Sequence, residues 1–263
     1  MKKKVVKYAI LIFVIMLWPF QSAPHAEEVL IAVDQANPPF MYKAEDGSAS
    51  GLYPFLLETL FRKINQPIEI RTFPWKRVLS SGKKGLMGVG GIYKTEERLK
   101  VFDYSDVLFE EKVCIYVQKG KGFSYNDITD LRHKTIGVIR GWSYGDIFDH
   151  ARQEQRFQVQ ENAADELNFG MLVRGRIDCL VAIDLSAQRI ILQNGYRNQI
   201  EMIDLPLAVN PTYLVFAKKM NNVPLIEKVN DALHAMKQNK TYQKIIRNYL
   251  QSENEKSYET VTD

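Results

Sequence analysis

Val29-Leu30-Ile31-Ala32-Val33 is an uninterrupted apolar run. Pro54 follows, then a helical face of Leu56, Leu57, Leu60, Phe61 and Ile64, and Ile68-Glu69-Ile70-Arg71-Thr72-Phe73 alternates with period two. A continuous apolar run reads as a buried strand, proline fits the first turn of a helix, and period-two alternation reads as a second strand. The opening is therefore β-α-β. The rhythm continues with a helix from Trp75 to about Ser81, a Gly-rich strand from Leu86 to Gly91 and a long strand from Lys112 to Gln118. After Gly120-Lys121-Gly122 a second series begins: strand Thr135 to Ile139, helix Tyr144 to Arg152, helix Ala164 to Val173, strand Cys179 to Ala182, helix Leu185 to Gln193 and strand Tyr213 to Ala217. Two helices close the chain, one marked by Leu225, Ile226, Val229 and Leu233, the other by Tyr242, Ile245, Ile246 and Tyr249. Strands alternating with helices throughout predict an α/β fold with mainly parallel sheets. Residues 252–263 have little to bury and read as a flexible tail.

The charge is informative once it is located. The chain of 263 residues has 35 basic and 31 acidic residues, but Lys2, Lys3, Lys4 and Lys7 all precede the apolar run from Ala9 to Trp18, and no acid occurs before Glu27. A lysine-rich start, a short apolar stretch, Pro19 and the small residues Ser22-Ala23-Pro24-His25-Ala26 read as a secretory signal cleaved after Ala26. The apolar run is shorter than the roughly 20 residues a spanning helix needs. Without residues 1–26 the four lysines are gone, 31 basic face 31 acidic residues, and the basic signature that would suggest nucleic acid disappears. About 237 residues remain, a length that predicts two lobes.

Cys114 and Cys179 are the two thiols. Neither stands near the cleavage site to accept a lipid, so the expected product is a free protein of the periplasm. Both lie in apolar runs, which favours buried, unpaired thiols over a disulfide. The histidines, at 25, 133, 150 and 234, lack metal-ligand spacing, so neither a metal nor a cofactor is expected.

Several motifs occur in a telling order: Asn37-Pro38-Pro39-Phe40-Met41-Tyr42, Asp46-Gly47, Gly51-Leu52-Tyr53, Trp75, Lys94-Thr95-Glu96-Glu97-Arg98 and Phe102-Asp103-Tyr104-Ser105-Asp106. Ile136-Gly137-Val138-Ile139-Arg140-Gly141, Gly175-Arg176-Ile177-Asp178 and the run from Pro224 to Leu250 follow. Together they resemble the family 3 periplasmic solute-binding proteins, the amino-acid-binding branch of the type II periplasmic binding fold. The resemblance implies two lobes, each a mainly parallel sheet flanked by helices, joined by two crossing strands. It divides the chain into lobe 1 (27–112 plus 216–251) and lobe 2 (113–215), with a ligand held between them.

The resemblance also implies site residues. Arg98 stands where the family places an arginine that clamps the ligand's carboxylate, and a planar fork of donors suits a carboxylate. The alternative is a surface arginine in the charged segment from Lys94 to Lys100. Trp75 stands where an aromatic covers the ligand's body, with a core tryptophan as the alternative. Asp34 ends the first strand. Asn37 and Phe40 follow it, Asn37 at a position where many relatives carry an aromatic. Gly91 and Tyr93 fall where backbone groups approach the ligand. Gly141-Trp142-Ser143 lies between a strand and a helix, so free N–H groups are expected to face the cleft. Asp184 is the candidate for the ligand's ammonium group, but it stands one residue later than the commonest spacing. Either a bulge restores it, or the ligand is not a standard α-amino acid.

The leading expectation is a monomeric binding module that captures a small carboxylate-bearing solute, an amino acid or relative, and delivers it to an ABC importer in the inner membrane. A dehydratase-like enzyme on the same fold is the rival from another class, but no convincing catalytic pair occurs in the sequence. A ligand sensor for a membrane signalling partner is the third reading.

Overall fold

The computed structural model describes residues 27–262, with side chains described as far as Glu253. The signal expected at 1–26 lies outside the described residues. The chain forms β1 (Val29–Asp34), a small three-stranded sheet of β2 (Ala36–Asn37), β3 (Met41–Lys43) and β4 (Ala49–Ser50), then α1 (Leu52–Lys63), β5 (Ile68–Phe73) and α2 (Trp75–Lys83). It continues with β6 (Gly88–Tyr93), α3 (Glu96–Leu99), β7 (Phe102–Tyr104) and the long β8 (Phe109–Gln118). The middle of the chain holds β9 (Thr135–Ile139), α4 (Asp146–Gln153), β10 (Gln158–Asn162), α5 (Asp165–Val173), β11 (Cys179–Ile183), α6 (Asp184–Gln193) and β12 (Ile200–Met202). A second long strand, β13 (Ala208–Ala217), leads to α7 (Val223–Gln238) and α8 (Thr241–Thr262).

The architecture is α/β, and the strand order of the main sheet is β10-β9-β11-β8-β13-β6-β1-β5. At one end β1 runs parallel to both β5 and β6; at the other β9 runs parallel to both β10 and β11. The two parallel blocks meet through β8 and β13. These strands pair antiparallel where Phe109–Val113 faces Ala208–Thr212, then diverge, β8 onto β11 and β13 onto β6. Each long strand thus belongs to both halves of the molecule.

Packing follows the sequence pattern. On α1 the residues Leu52, Leu56, Leu57, Leu60 and Phe61 are buried, while Glu58 and Arg62 face solvent. Each such side chain contributes about 1.5–3 kcal/mol when fully buried. The main core runs through both halves, and a smaller one gathers Cys114, Tyr116, Phe169, Leu172 and Leu180. Cys114 and Cys179 are both buried and free. They sit on adjacent strands but on different rungs, Cys179 beside Val117 and Cys114 beside Ala182, and they belong to different cores.

The tail expected to be flexible from Ser252 onward is helical through Thr262. It contains neither glycine nor proline, and α8 is anchored first: Tyr249 stacks on Phe55 of α1 at 5.8 Å, and Glu253 is still buried.

Candidate functional site

A cavity that opens to solvent lies between the two parallel blocks, with ≈ 280 Å³ of empty space counting its open mouth, where β1 and β6 from one and β9 and β11 from the other end. Carboxyl ends of parallel strands are where open α/β sheets bind ligands. Its wall includes Asn37, Trp75, Gly91, Tyr93 and Arg98 from one side, and Trp142, Ser143 and Ile183 from the other. Glu111, on β8, also lines it.

Arg98 reaches the cavity by a local device. Thr95 caps α3, accepting the Arg98 N–H at 3.3 Å, and the four-residue helix turns Arg98 inward while Lys94, Glu96, Glu97, Leu99 and Lys100 face solvent. Arg98 is 7% exposed. Its Nη1 donates to the Tyr93 carbonyl at 3.0 Å, and the guanidinium lies 5.9 Å from the Trp75 ring centroid. Among the described residues it makes no ion pair. Burial pushes its pKa down, yet a guanidinium keeps its charge at neutral pH. A desolvated cation without a counterion costs several kcal/mol, and an anion in the cavity would offset that.

Trp75 opens α2 and meets Trp142 edge to face at 6.5 Å, so each half contributes one indole. Trp142 Nε1 also donates to Asp34 Oδ2 at 3.2 Å, joining the end of β1 to the loop after β9. Asp34 is buried, and desolvation raises its pKa to about 6 against the pull of hydrogen bonds from Ala36 N–H and Trp142. A second bridge comes from Ser186 of α6, whose hydroxyl shares its proton between Asn37 Oδ1 at 3.0 Å and the Pro38 carbonyl at 2.8 Å. With Oδ1 engaged, Asn37 Nδ2 is left buried at the cavity wall with no hydrogen-bond partner among the described residues. An acceptor on a ligand would satisfy it.

Glu111 is 2% exposed and takes one tyrosine on each oxygen: Tyr53 Oη donates to Oε1 and Tyr93 Oη to Oε2. Gly91 lies beside this group at φ +71°, and a Cβ there would meet Tyr53 Cδ2 at 2.5 Å. Neighbouring Gly90 packs under Leu57 of α1 and serves the core.

Of the residues expected from sequence, Asn37, Trp75, Gly91, Tyr93, Arg98, Trp142 and Ser143 meet at this cavity. Asp34 stands behind it, bonded to Trp142. Phe40 does not line it; the ring is fully buried between Tyr53 and Phe109, at 5.8 and 5.9 Å. Gly141 lies in an adjoining outer groove against Lys76. Of the N–H groups expected to be free over Gly141-Trp142-Ser143, that of Trp142 is engaged locally, as are those of Tyr144 and Gly145 just beyond. Trp142 N–H donates to the Ile139 carbonyl, Tyr144 N–H to Asp149 and Gly145 N–H to Ser143 Oγ, because Asp149 folds back on the turn. Asp184 opens α6 outside the cavity, accepting from Tyr116 Oη at 2.9 Å and Gln188 Nε2 at 2.8 Å. Met41, Ile183 and Glu111 complete the wall without having been singled out from sequence.

A family model for bacterial extracellular solute-binding proteins, family 3, matches residues 29–252. The chain is 23% identical over 228 residues to the L-cystine-binding protein TcyJ of Escherichia coli (strain K12), an alignment covering 82% of this chain and 79% of that one. It is 24% identical over 228 residues to the arginine-binding periplasmic protein of Mannheimia haemolytica, covering 84% and 90%. Among solved structures, an ancestral arginine-binding protein bound to arginine matches with TM-score 0.72 at 27% identity, over 86% of this chain and 99% of that one. A histidine kinase sensor domain with similarity to periplasmic binding proteins matches with TM-score 0.75 at 16% identity, over 87% and 98%, a likeness of fold alone.

Proposed function

Because the chain belongs to the bacterial extracellular solute-binding proteins of family 3, we propose that it is a periplasmic receptor. Its ligand is a small carboxylate-bearing solute, an amino acid or close relative, bound in the cavity with its carboxylate on Arg98. One observation carries this reading: a guanidinium 7% exposed at a cavity wall, with no ion pair among the described residues. The two indoles supply apolar cover for the ligand's body, and Asn37 Nδ2 supplies a donor for a second acceptor.

Capture works by closure. The lobes are 27–112 plus 216–251 and 113–215, and β8 with β13 forms the hinge. The bonds Trp142–Asp34 and Ser186–Asn37 fasten the closed form, and an ABC importer reads that form. The receptor acts as an exported monomer. Its relatives are named as binding proteins, which favours capture over turnover.

The test is a thermal-shift screen of the proteinogenic L-amino acids and L-cystine, followed by calorimetry on those that raise the melting temperature. A ligand of the native state alone stabilises it by RT ln(1 + [L]/Kd), about 2.7 kcal/mol at a hundredfold excess over Kd. The expected result is at least one amino acid binding one to one, with weakened binding in Arg98→Met. Binding unchanged in Arg98→Met overturns the carboxylate assignment.

A further inference from the structure

The cavity has a guanidinium without an anion, and it also has a carboxyl group without a cation. Asp184 is engaged by Tyr116 and Gln188 away from the cavity, and Asp34 by Trp142 behind it. Among the described residues, Glu111 is the one carboxylate that lines the wall alongside Arg98. It is 2% exposed, no ion pair reaches it among the described residues, and it does not pair with Arg98.

We propose that Glu111 receives the ammonium group of a zwitterionic ligand whose carboxylate sits on Arg98, taking the place that the spacing of Asp184 leaves empty. The inference rests on the reading of the cavity as an amino-acid site.

Tyr53 and Tyr93 orient Glu111 without satisfying its charge. Each phenol donates one hydrogen bond to one carboxylate oxygen, and a carboxylate offers about four lone-pair sites, so further acceptor capacity remains. Burial holds both phenols protonated, so they remain neutral donors and bring no positive charge. Desolvation raises the Glu111 pKa to about 7 despite those two bonds, as befits a buried carboxylate lacking a cation. An ammonium in the cavity would reverse that shift and offset the burial of both charges at once. A Tyr–Glu–Tyr unit with a purely structural role would also be buried and hydrogen-bonded, so the test must separate charge recognition from scaffolding.

Calorimetry on the wild type and Glu111→Gln with matched pairs of probes does so: L-alanine and L-lactate, L-leucine and L-2-hydroxyisocaproate, L-glutamate and L-2-hydroxyglutarate, L-phenylalanine and L-3-phenyllactate. Each pair keeps carboxylate and side chain and exchanges ammonium for hydroxyl. The wild type is expected to favour the amino acid at least tenfold, since a charged hydrogen bond replaces a neutral one. Glu111→Gln is expected to weaken the amino acid by roughly 30-fold or more, as truncation of a buried charge pair does, while the hydroxy acid changes less than about threefold.

Equal wild-type affinity within a pair overturns the proposal without any variant, which covers the case of a Glu111→Gln protein that does not fold. Equal losses for both members assign Glu111 to scaffolding and overturn it too. If amino acids bind in an Arg98-dependent way and Glu111→Gln shows no selective loss, this inference fails and the amino-acid reading stands. If no probe and no amino acid of the screen binds, both fail.

Discussion

Trp142 and Asp34 come from opposite halves of the molecule and are joined by one hydrogen bond, indole Nε1 to carboxylate Oδ2 at 3.2 Å. Trp142 also meets Trp75 edge to face at 6.5 Å, at the cavity wall. Under the proposed function, the residue that covers the ligand is also the residue that fastens the seam, so closing the lobes and completing the site would be one event. Ser186 repeats the arrangement: its hydroxyl crosses to Asn37, and that bond decides which end of the Asn37 amide is left for the cavity.

Removing the seam bonds should bias the receptor toward an open form. Trp142→Phe keeps most of the apolar area and loses the donor, and a hydrogen bond to a charged group is worth roughly 1.5–3 kcal/mol. Ser186→Ala removes the second bridge. With a saturating amino acid found by the screen, small-angle scattering of the double variant should give a larger radius of gyration than the wild type at equal saturation. Identical profiles would show that these bonds do not govern closure.

Stability should fall as pH rises from about 4 to 7. Burial raises the pKa of Asp34 to about 6 and those of Glu111 and Asp165 to about 7. The ordinary values are 3.8 for aspartate and 4.5 for glutamate. Within that window the native state holds more protons than the unfolded chain, so these groups favour folding at low pH and lose that contribution as pH passes their folded values. Melting temperatures of the ligand-free protein should be higher at pH 5 than at pH 8, and Asp34→Asn or Glu111→Gln should each flatten the slope. A wild-type melting temperature that climbs from pH 5 to pH 8 contradicts this.

The β-α-β opening was legible because β1 is apolar from Val29 to Val33 and α1 keeps a clean helical face. β10 was not legible. Gln158-Val159-Gln160-Glu161-Asn162 is an edge strand, half-buried at best, and with Val159 as its single apolar residue against the core it leaves no period-two signal. Arg98 sits in a segment whose charge reads as surface, and its motif alone singled it out; the turn of α3 that buries this one residue is a tertiary effect. Glu111 was not singled out, because it stands at the edge of the strand read from Lys112 to Gln118 and a lone carboxylate there carries no signal of its own. The strand starts at Phe109, and Glu111 shares its parity with Val113, Ile115 and Val117, all in the main core. Extending the alternation by two residues would have turned it inward.

Gly91 should resist substitution. Its φ of +71° is costly for any residue with a Cβ, and the added atom would meet Tyr53 at 2.5 Å and the Met41 sulfur at 3.2 Å. Left-handed strain of about 1–2 kcal/mol and overpacking of about 1–3 kcal/mol act together. Gly91→Ala should lower stability by roughly 2–5 kcal/mol in chemical denaturation. It should also weaken ligand binding, since Tyr53 must shift and Glu111 with it. A loss below about 0.5 kcal/mol, the range of an ordinary surface change, would mean that Tyr53 has room the structure does not show.

Arg98 distinguishes a binding residue from a scaffolding one through two opposite effects of one substitution. Truncating one partner of a desolvated charge pair costs roughly 2–5 kcal/mol, so Arg98→Met should reduce the affinity for a bound amino acid by about 30-fold or more. Arg98→Lys keeps the charge without the planar fork and should recover part of that loss. The ligand-free protein should behave otherwise. Its guanidinium is buried with no ion pair among the described residues, and one hydrogen bond, to the Tyr93 carbonyl, offsets little of the desolvation. Replacing it with an apolar side chain of similar length should therefore leave the ligand-free melting temperature unchanged or raise it. A structural arginine gives the reverse pattern, lost stability with affinity intact once refolded. Calorimetry and thermal melts on the same three proteins decide between them, and a clear drop in ligand-free stability with binding inside threefold of wild type would remove Arg98 from the site.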